Sequence, residues 1–256
     1  MTHVEIPLAR RDAIAERLKN GNSVIAAALA LEFDVSEDAI RRDLRALAAE
    51  GVCRRVYGGA LPLPDDTPMV QRVTENQDRK AKLAKAGAAT IQPRELVFLD
   101  SGSTNLAMVE FLPEDYDITV VTNSVVIAAA LLTRTDLRLI VVGGNLTHQM
   151  GGCVDGAALL QISRMNIDRV FIGACSVSTG TGICGFDHAD VTFKRTLINT
   201  SRHSIVLATN EKFGVRAPHR IAEMQEIQQL VVEHDLPRSE LEILELSGAP
   251  IIRADP

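Results

Sequence analysis

The chain has 256 residues and a formal net charge of −6 at pH 7, with 46% hydrophobic and 23% charged residues. This length fits one large domain or a small domain plus a medium one, and the composition is typical of a soluble globular protein. Aromatic residues make up only 4% of the chain and Trp is absent, which argues against a binder of single-stranded nucleic acid that stacks bases on aromatic side chains.

The cysteines and histidines show no pattern typical of a metal site. Cys53, Cys153, Cys175 and Cys184 are far apart and form no C-x-x-C pair, so we expect reduced thiols rather than a disulfide framework. The histidines also lack metal-ligand spacing, and we expect neither a metal nor another cofactor. Without a signal-like or long uncharged apolar segment, the sequence predicts a cytoplasmic protein that has no membrane partner.

The N-terminal part has three helical patterns. The first covers residues 8–19 and the second covers residues 24–33. The third begins after Ser36, whose hydroxyl is suited to cap the first turn, and places apolar residues at three- and four-residue spacing. Two short helices joined by a tight turn predict a helix-turn-helix, whose second helix enters the DNA major groove.

A short, β-prone hairpin at residues 51–60 follows the third helix and ends in Gly-Gly, as a DNA-binding wing does. Between residues 39 and 60, five arginines outnumber two acidic residues, a local charge of +3 in an acidic chain. Such a basic island indicates nucleic-acid binding, although a plain helical hairpin with solvated arginines is the alternative. We predict an all-α winged helix-turn-helix domain over residues 7–60, with these DNA-binding residues: Ser36, Arg41, Arg42, Arg45, Arg54, Arg55 and Tyr57.

Arg41 and Arg42 are expected to contact guanine edges or to anchor phosphates in the groove. The remaining arginines are expected to contact the DNA backbone. Residues 61–69 contain three prolines and predict a stiff linker at a domain boundary. Residues 70–91 are polar and charged and predict a connecting helix with Lys80, Lys82 and Lys85 on solvated faces.

From residue 96 onward, short apolar strands alternate with helical segments, which predicts an α/β domain over residues 70–256 with a mainly parallel sheet covered on both faces. The predicted strands are residues 96–99, 118–121, 137–142, 170–172, 204–208, 230–232 and 251–252. The predicted helices are residues 106–112, 125–132, 157–165, 191–201 and 239–246. In such sheets ligands bind outside the carboxyl ends of the strands.

Small and polar residues follow these strands, including Gly173-Ala174-Cys175-Ser176. Glycine and serine are common in such loops and helix caps, but their recurrence at one sheet edge favours a shared pocket for a phosphorylated ligand. Asp190 and Lys194 are four residues apart on one helix face, so they form either an ion pair or a ligand contact. The predicted effector-binding residues are Asp100, Gly102, Ser103, Thr104, Thr122, Asn123, Ser124, Gly143, Gly144, Asp190 and Lys194.

Several motifs occur in a fixed order between about Arg10 and Ile252. The N-terminal ones are Val35-Ser36, Ile40-Arg41-Arg42-Asp43-Leu44 and Gly58-Gly59-Ala60. The C-terminal ones are Asp100-Ser101-Gly102-Ser103-Thr104, Thr122-Asn123-Ser124, Gly143-Gly144, Lys194-Arg195 and Lys212-Phe213-Gly214. Together they resemble the DeoR family of bacterial transcriptional regulators. The segment from Phe186-Asp187 to Ser201-Arg202-His203 is similar to the branch that contains the glycerol-3-phosphate regulon repressor.

The resemblance implies an oligomeric repressor whose sensor domain is similar to ribose-5-phosphate isomerase and glucosamine-phosphate deaminase. It also implies that Gly102-Ser103-Thr104 holds the effector phosphate, with residues 122–124, residues 143–144 and Lys194 around it. Two positions depart from the family pattern, since Ala39 stands where Thr is usual and Asp190 stands where Glu is usual.

The isomerases carry acidic catalytic residues near the loop that corresponds to residues 173–176. Here that loop has no carboxylate, so the groups that would move a proton are missing and we expect no catalytic residues and no enzymatic activity. We predict a repressor of a carbohydrate or polyol catabolic operon that binds double-stranded operator DNA, responds to a phosphorylated sugar or polyol and forms a dimer or tetramer. The alternatives are a sugar-phosphate isomerase or deaminase with a DNA-binding head, and a constitutive DNA-binding protein with a structural second domain.

Overall fold

The computed structural model describes residues 7–19, 24–50, 52–56, 58–62, 69–248 and 250–256. The chain divides into two compact units, residues 1–66 with 214–216 and residues 67–213 with 217–256. Most of the predicted linker lies outside the described residues, and the predicted domain boundaries stay a prediction. Within the described ranges, no helix has both the length and the apolar character that a membrane crossing requires.

The N-terminal unit combines three helices with a small antiparallel sheet. The elements are α1 (Pro7–Lys19), β1 (Val24–Ile25), α2 (Ala26–Glu32), α3 (Glu37–Ala49), β2 (Cys53–Val56) and β3 (Gly59–Pro62). The sheet order is β1-β3-β2, so the prediction of an all-α domain with a hairpin needs a correction. The helices enclose a core of buried apolar side chains, among them Ile14, Leu18, Leu29, Ile40, Leu44 and Leu47.

Strand β1 explains why α2 is shorter than predicted. Val24 and Ile25 pair with Ala60 and Gly59 of β3, so the helix predicted from residue 24 begins only at residue 26. Gly59 is required at this crossing, because a Cβ there would lie 2.0 Å from the carbonyl oxygen of Val24. The predicted start of α3 is confirmed: the Ser36 hydroxyl accepts a hydrogen bond of 3.3 Å from the Ala39 N–H.

The C-terminal unit is built on a seven-stranded sheet in the order β15-β14-β12-β9-β4-β5-β6. All the pairings in this sheet are parallel, which confirms the predicted architecture. Its strands are β4 (Leu96–Leu99), β5 (Thr119–Thr122), β6 (Arg138–Val141), β9 (Ile167–Ile172), β12 (Ser201–Ala208), β14 (Gln229–Val232) and β15 (Ile251–Arg253). The helices are α4 (Met69–Arg72), α5 (Gln77–Ala88), α6 (Ser103–Ala107), α7 (Val125–Leu131), α8 (Gly156–Ile162), α9 (His188–Thr200) and α10 (Arg238–Leu246).

Two hydrophobic clusters cover the two faces of this sheet. Phe98 of β4 and Phe193 of α9 belong to one cluster, with ring centroids 6.2 Å apart. Phe171 of β9 and Leu83 of α5 belong to the other. Because every interior strand is packed on both sides, the strands read as continuous apolar runs in the sequence.

The predicted connecting helix is interrupted between α4 and α5, where Asn76 adopts a left-handed conformation with φ of 50°. The break allows the Lys80 ammonium to donate a hydrogen bond of 2.5 Å to the carbonyl oxygen of Arg72. Lys80 is therefore buried, and burial lowers its pKa, so the prediction that it is solvated is wrong. Lys82 is half-buried, and Lys85 is exposed as predicted.

The C-terminal unit also contains short antiparallel strands that the sequence pattern did not predict. They are β7 (Leu146–Thr147) with β8 (Gly152–Cys153), and β10 (Ser176–Ser178) with β11 (Gly182–Gly185) and β13 (His219–Ala222). Strand β6 also differs from its prediction as a strand buried on both faces. It lies at the end of the sheet, where Ile140 and Val141 remain 41% and 48% exposed.

Replacing Phe98 tests the packing of the large sheet. We expect Phe98→Ala to lower the free energy of unfolding by about 3–5 kcal/mol, because the side chain is fully buried against Phe193 and its loss leaves a cavity. The measurement is urea unfolding followed by circular dichroism. Leu246→Ala is the control, since Leu246 is 88% exposed, and a similar loss in both variants would contradict the packing described here.

Candidate functional site

The arginines of helix α3 differ in whether their guanidinium groups already form an ion pair within the protein. The Arg41 guanidinium forms an ion pair of 2.7 Å with Glu37 and approaches Asp38 at 3.8 Å. Arg45 donates through Nε to the carbonyl oxygen of Arg41 at 3.2 Å, which leaves its charge unpaired. Arg42 is exposed and has no ion pair or hydrogen bond within the described part of the chain. Arg42 and Arg45 are therefore the cations of α3 that are free to contact phosphate.

Asp43 also belongs to α3 but does not oppose these arginines. Arg10 of α1 forms a half-buried ion pair of 2.7 Å with the Asp43 carboxylate. The pair fixes α1 against α3 and cancels the negative charge of Asp43, so the basic face is more positive than the sequence count suggests. The sequence analysis assigned no role to Arg10, since a lone arginine in a first helix carries no pattern.

The wing contributes one described arginine. Arg55 is exposed on β2, which pairs with β3 in the register Arg55 to Ala60. The Arg54 side chain and Tyr57 lie outside the described residues, so their predicted contacts with DNA stay predictions. Ser36 already uses its hydroxyl oxygen to cap α3. Cys53 is buried behind the wing, and burial raises the pKa of its thiol.

The carboxyl ends of β4 and β9 meet the first turns of α9 at a buried charged cluster. The Lys194 ammonium lies 2.7 Å from Oδ2 of Asp190 and 3.6 Å from Oδ2 of Asp100. Asp100 Oδ2 also accepts a hydrogen bond of 3.0 Å from the Gly173 N–H. All three charged side chains are buried. We call Asp100, Asp190 and Lys194 the charged triad.

Only two of the four carboxylate oxygens of the charged triad have a partner among the described residues. Oδ1 of Asp100 and Oδ1 of Asp190 are both buried and have no hydrogen-bond partner among the described residues. With both carboxylates ionised, one ammonium faces two negative charges and the net charge is −1. A buried acceptor without a donor costs free energy, so these two oxygens mark a place where donors from a ligand would be stabilised.

Burial raises the pKa of Asp100 to about 6; Lys194 opposes this shift and Asp190 adds to it. For Lys194, burial acts to lower the pKa, but Asp190 and Asp100 together outweigh it. The pKa of Lys194 is therefore raised above its ordinary value. The ammonium therefore stays charged at neutral pH, and Asp100 titrates at about pH 6.

Residues 122–124, predicted to bind effector, use their side chains inside the protein. Thr122 donates its hydroxyl to the Leu99 carbonyl oxygen at 2.7 Å. Asn123 accepts from the Ser101 N–H at 3.0 Å and donates to the Cys153 carbonyl oxygen at 3.2 Å. The Ser124 hydroxyl caps α7 by accepting from the Ile127 N–H at 3.4 Å. These buried groups hold the loop after β4 in place.

Gly143 and Gly144, which follow β6, are likewise in contact with other parts of the protein. Gly144 has φ of 157°, and a Cβ at this position would lie 2.3 Å from a carboxylate oxygen of Asp155. Asp155 caps α8 by accepting from the Ala158 N–H at 3.1 Å, and it accepts from the Asn145 N–H at 2.9 Å. The Gly143 N–H donates to the side-chain oxygen of Gln161 at 3.4 Å.

The remaining predicted effector-binding residues, at the turn after β4, border empty space or carry hydroxyls that the described residues leave unbonded. Ser103 and Thr104 are half-buried at the start of α6, and their hydroxyls make no hydrogen bond within the described residues. A Cβ on Gly102 would meet nothing within 4 Å, so the space beside this turn is empty. The turn therefore offers two free hydroxyls next to Asp100 in the sequence.

Asn105 supports this turn and was missed by the sequence analysis. Its buried side-chain amide donates to the carbonyl oxygens of Asp100 and Phe171, each at 2.9 Å. It thereby ties the end of β4 to the end of β9. The sequence signal was only a polar residue directly before a predicted helix, which does not reveal a partner 66 residues away.

The sequence was then compared with known families. A family model described as the DeoR C terminal sensor domain matches residues 75–234. A second, described as the DeoR-like helix-turn-helix domain, matches residues 10–63. The chain belongs to the DeoR family of transcriptional regulators. This membership confirms the predicted family and the prediction of a DNA-binding regulator rather than an enzyme.

Named relatives agree with the membership. The glycerol-3-phosphate regulon repressor of Escherichia coli K12 is 30% identical over 92% of this chain and 94% of that protein. The regulator FruR of Bacillus subtilis is 34% identical over 71% of this chain and 73% of that protein. The regulator IolR of the same organism is 27% identical over 81% of this chain and 83% of that protein.

Solved structures give weaker similarities. Ribose 5-phosphate isomerase A from Methanocaldococcus jannaschii is 16% identical, with 54% of this chain and 55% of that chain covered and a TM-score of 0.38. The sorbitol operon regulator SorC from Klebsiella pneumoniae is 10% identical, with 83% and 91% covered and a TM-score of 0.35. Similarities this weak carry no inference about function.

The raised pKa of Asp100 predicts how stability depends on pH. Its pKa in the folded protein, about 6, is above the model-peptide value of 3.8, so the folded state binds this proton more tightly than the unfolded state. Protonated Asp100 makes its full contribution to the free energy of unfolding below about pH 4. This contribution is lost as the pH rises through about 6, and the loss is up to about 3 kcal/mol. Asp100→Asn should remove this loss.

The measurement is urea unfolding of the wild type and Asp100→Asn at intervals from pH 4 to pH 7.5. We expect the free energy of unfolding of the variant, relative to wild type, to rise across this range. Glu245→Gln replaces an exposed carboxylate and is the control. A difference between Asp100→Asn and wild type that stays constant with pH would show that Asp100 does not titrate as described.

Proposed function

We propose that the protein is a transcriptional repressor of a carbohydrate or polyol catabolic operon, controlled by a phosphorylated sugar or polyol. The N-terminal unit would bind operator DNA through α3 and the wing, and the C-terminal unit would bind the effector at the carboxyl ends of β4 and β9. The observation that carries the effector site is the pair of buried, unpartnered oxygens of Asp100 and Asp190. Membership in the DeoR family supports the regulatory role.

The charged triad favours hydroxyl groups over phosphate as its ligand. Lys194 is already neutralised by two carboxylates, so a phosphate dianion beside it would meet net negative charge. Hydroxyl groups donate hydrogen bonds, which the free oxygens of Asp100 and Asp190 lack. This assignment modifies the expectation that Lys194 contacts the phosphate: Lys194 instead orients the two carboxylates toward the polyol.

The phosphate would then bind at the turn formed by Gly102, Ser103 and Thr104. Two unpaired hydroxyls and open space above Gly102 support this position. In this arrangement residues 122–124 and 143–144 shape the walls of the site without donating to the effector. A named relative, the glycerol-3-phosphate regulon repressor, supports a phosphorylated polyol as the class of effector.

The same proposal includes the predicted organisation of the chain. Residues 7–60 would be the DNA-binding domain, residues 61–69 the linker and residues 70–256 the sensing and oligomerisation domain. A regulator of operator DNA acts where the chromosome lies, so we infer a cytoplasmic location. Effector would change DNA binding only by preferring one arrangement of the DNA-binding domains over another.

Arg42→Ala tests the DNA-binding face. We expect at least a tenfold loss of affinity for an operator fragment selected by the wild type from random duplexes, because Arg42 is exposed and unpaired on α3. If Arg42 contacts phosphate, the slope of log K against log salt should also fall by roughly 0.9. Fluorescence anisotropy at several salt concentrations measures both quantities.

Arg17→Ala is the matched control, because Arg17 is an exposed arginine of the same unit that is paired with Glu32. Its affinity for the operator should stay within about twofold of wild type. Equal losses in the two variants would mean that bulk charge, not the face of α3, determines binding.

Thermal shift assays test the effector site. Glycerol 3-phosphate and ribose 5-phosphate are the probes, with glycerol, ribose and inorganic phosphate beside them. A binding ester at a hundredfold its Kd should raise the melting temperature by roughly 5–10 °C. Ser103→Ala with Thr104→Ala should abolish the response to the ester and to inorganic phosphate, since both use the turn at Gly102.

Asp190→Asn separates the two halves of the site. It should weaken the ester at least tenfold without weakening the response to inorganic phosphate, because it removes a carboxylate that accepts from hydroxyls and leaves the turn at Gly102 intact. Ser239→Ala, an exposed hydroxyl on α10, is the control. The absence of any shift with a broad panel of phosphorylated sugars and polyols would remove the sensor proposal.

A further inference from the structure

Strand β6 ends the large sheet with unpaired backbone groups. The Arg138 and Val142 N–H groups donate inward to the carbonyl oxygens of Ile118 and Thr122, at 3.2 and 2.9 Å. In a parallel ladder the direction of these groups alternates along the strand. The N–H and C=O groups of Leu139 and Val141 therefore point outward, where no described strand pairs with them.

Exposed apolar side chains surround this edge. Helix α7 packs on β6, and the side chain of Gln161 on α8 bonds to Gly143 directly after the strand. The exposed apolar residues of β6, of α7 and the residue after it, of β7 and of α8 define the β6 edge patch: Val125, Leu132, Ile140, Val141, Leu146 and Leu160. Natural edge strands are usually protected by several charges, a proline or a bulge, yet β6 has only Arg138. The β6 edge patch therefore has the character of an interface.

We propose that the β6 edge patch is the contact between two copies of this chain, with β6 paired antiparallel to β6 of the partner subunit around a two-fold axis at Ile140. The outward groups favour a strand as the occupant, and a two-fold axis makes one short strand complementary to itself. The inference also rests on the DNA-binding function. The chain carries one recognition helix, and helix-turn-helix proteins read two half-sites as dimers.

The position of the axis follows from which groups are free. A two-fold axis normal to the sheet leaves a side chain on the same face of the sheet in both subunits. Opposed residues in an antiparallel pair also point to one face, so the axis must lie at a pair of identical residues and not between two positions of the sequence. An axis at Ile140 sets Leu139 opposite Val141 of the partner subunit and uses all the outward groups of β6 in hydrogen bonds. An axis at Leu139 or Val141 would instead pair one of the two outward-facing residues of β6 with a residue beyond the ends of the strand.

The opposite end of the sheet is a poorer candidate. On β15, Ile251 and Ile252 are only half-buried rather than exposed, and Arg253 bonds to the carbonyl oxygen of His234. Helix α10 nearby in the sequence carries Ile243, which is 47% exposed and resembles Ile140 in size and exposure. Ile243 therefore provides a matched control for a substitution at Ile140.

Sedimentation velocity of the full chain without DNA or effector tests the surface separately from the proposed function. We expect the wild type to dimerise or to form a larger even-numbered assembly. Ile140→Lys places two like charges face to face and should weaken self-association at least tenfold. Ile243→Lys should leave it unchanged. A monomeric wild type, or equal self-association in wild type and Ile140→Lys, would overturn the proposal.

Disulfide formation tests the axis and does not depend on tolerance of a charge. With the axis at Ile140, the two Ile140 Cα atoms form a non-hydrogen-bonded pair about 4.5 Å apart, within the range that a disulfide spans. Ile140→Cys should therefore give a covalent dimer under mild oxidation.

Val141→Cys is the matched control. The two Val141 Cα atoms would be offset by two residues along the strands, roughly 8–9 Å apart, which is too far for a disulfide. Wild type sets the background from Cys175, the one native cysteine among the described residues that is not buried. Stronger cross-linking of Val141→Cys than of Ile140→Cys, or none above background in either, would overturn the proposed pairing.

Discussion

The C-terminal unit depends on one unequal interaction, in which a single buried ammonium is shared by two carboxylates. Lys194 satisfies one oxygen of Asp190 and approaches one oxygen of Asp100, and the other oxygen of each has no donor in the part of the chain that the structure describes. Removing one member of a buried ionic cluster usually costs several kcal/mol, so the triad is not free to rearrange. What it lacks, among the described residues, is hydrogen-bond donors, and the proposed polyol would supply them. The chemistry of the proposed effector thus follows from what the protein leaves incomplete.

The residues at the strand ends divide into those that hold the site and those that remain open. Asn123 and Asn105 tie neighbouring loops together through buried amides, each with two partners. Thr122 is likewise occupied by the Leu99 carbonyl oxygen. In the turn at Ser103, by contrast, the hydroxyls of Ser103 and Thr104 have no partner within the described residues. Such a division is expected of a binding site, because polar groups that are already bonded orient the open ones at little further cost in entropy.

Pairing also decides which arginines of the N-terminal unit are available. Arg10 neutralises Asp43 and fastens α1 to α3, while Arg41 is engaged by Glu37. Arg42 has the same charge and nearly the same sequence environment as Arg41, yet it remains unpaired because its side chain leaves α3 on a different face. In both units, charges that are already paired hold neighbouring elements together, and the groups without a partner among the described residues are the ones proposed to bind ligands.

The sequence by itself determined the parallel sheet, the helices and strands that build it and the helix that follows the cap at Ser36, because these depend on periodicity, caps and turn residues close together in the chain. It could not determine that Lys80 is buried, that β6 lies at an exposed edge or that Thr122 is occupied by Leu99. These outcomes depend on partners brought together by the order of strands, and strand order leaves no periodic trace in the sequence. Tertiary structure alone decided whether Asp190 and Lys194 form an ion pair, and it added Asp100 as the third charge.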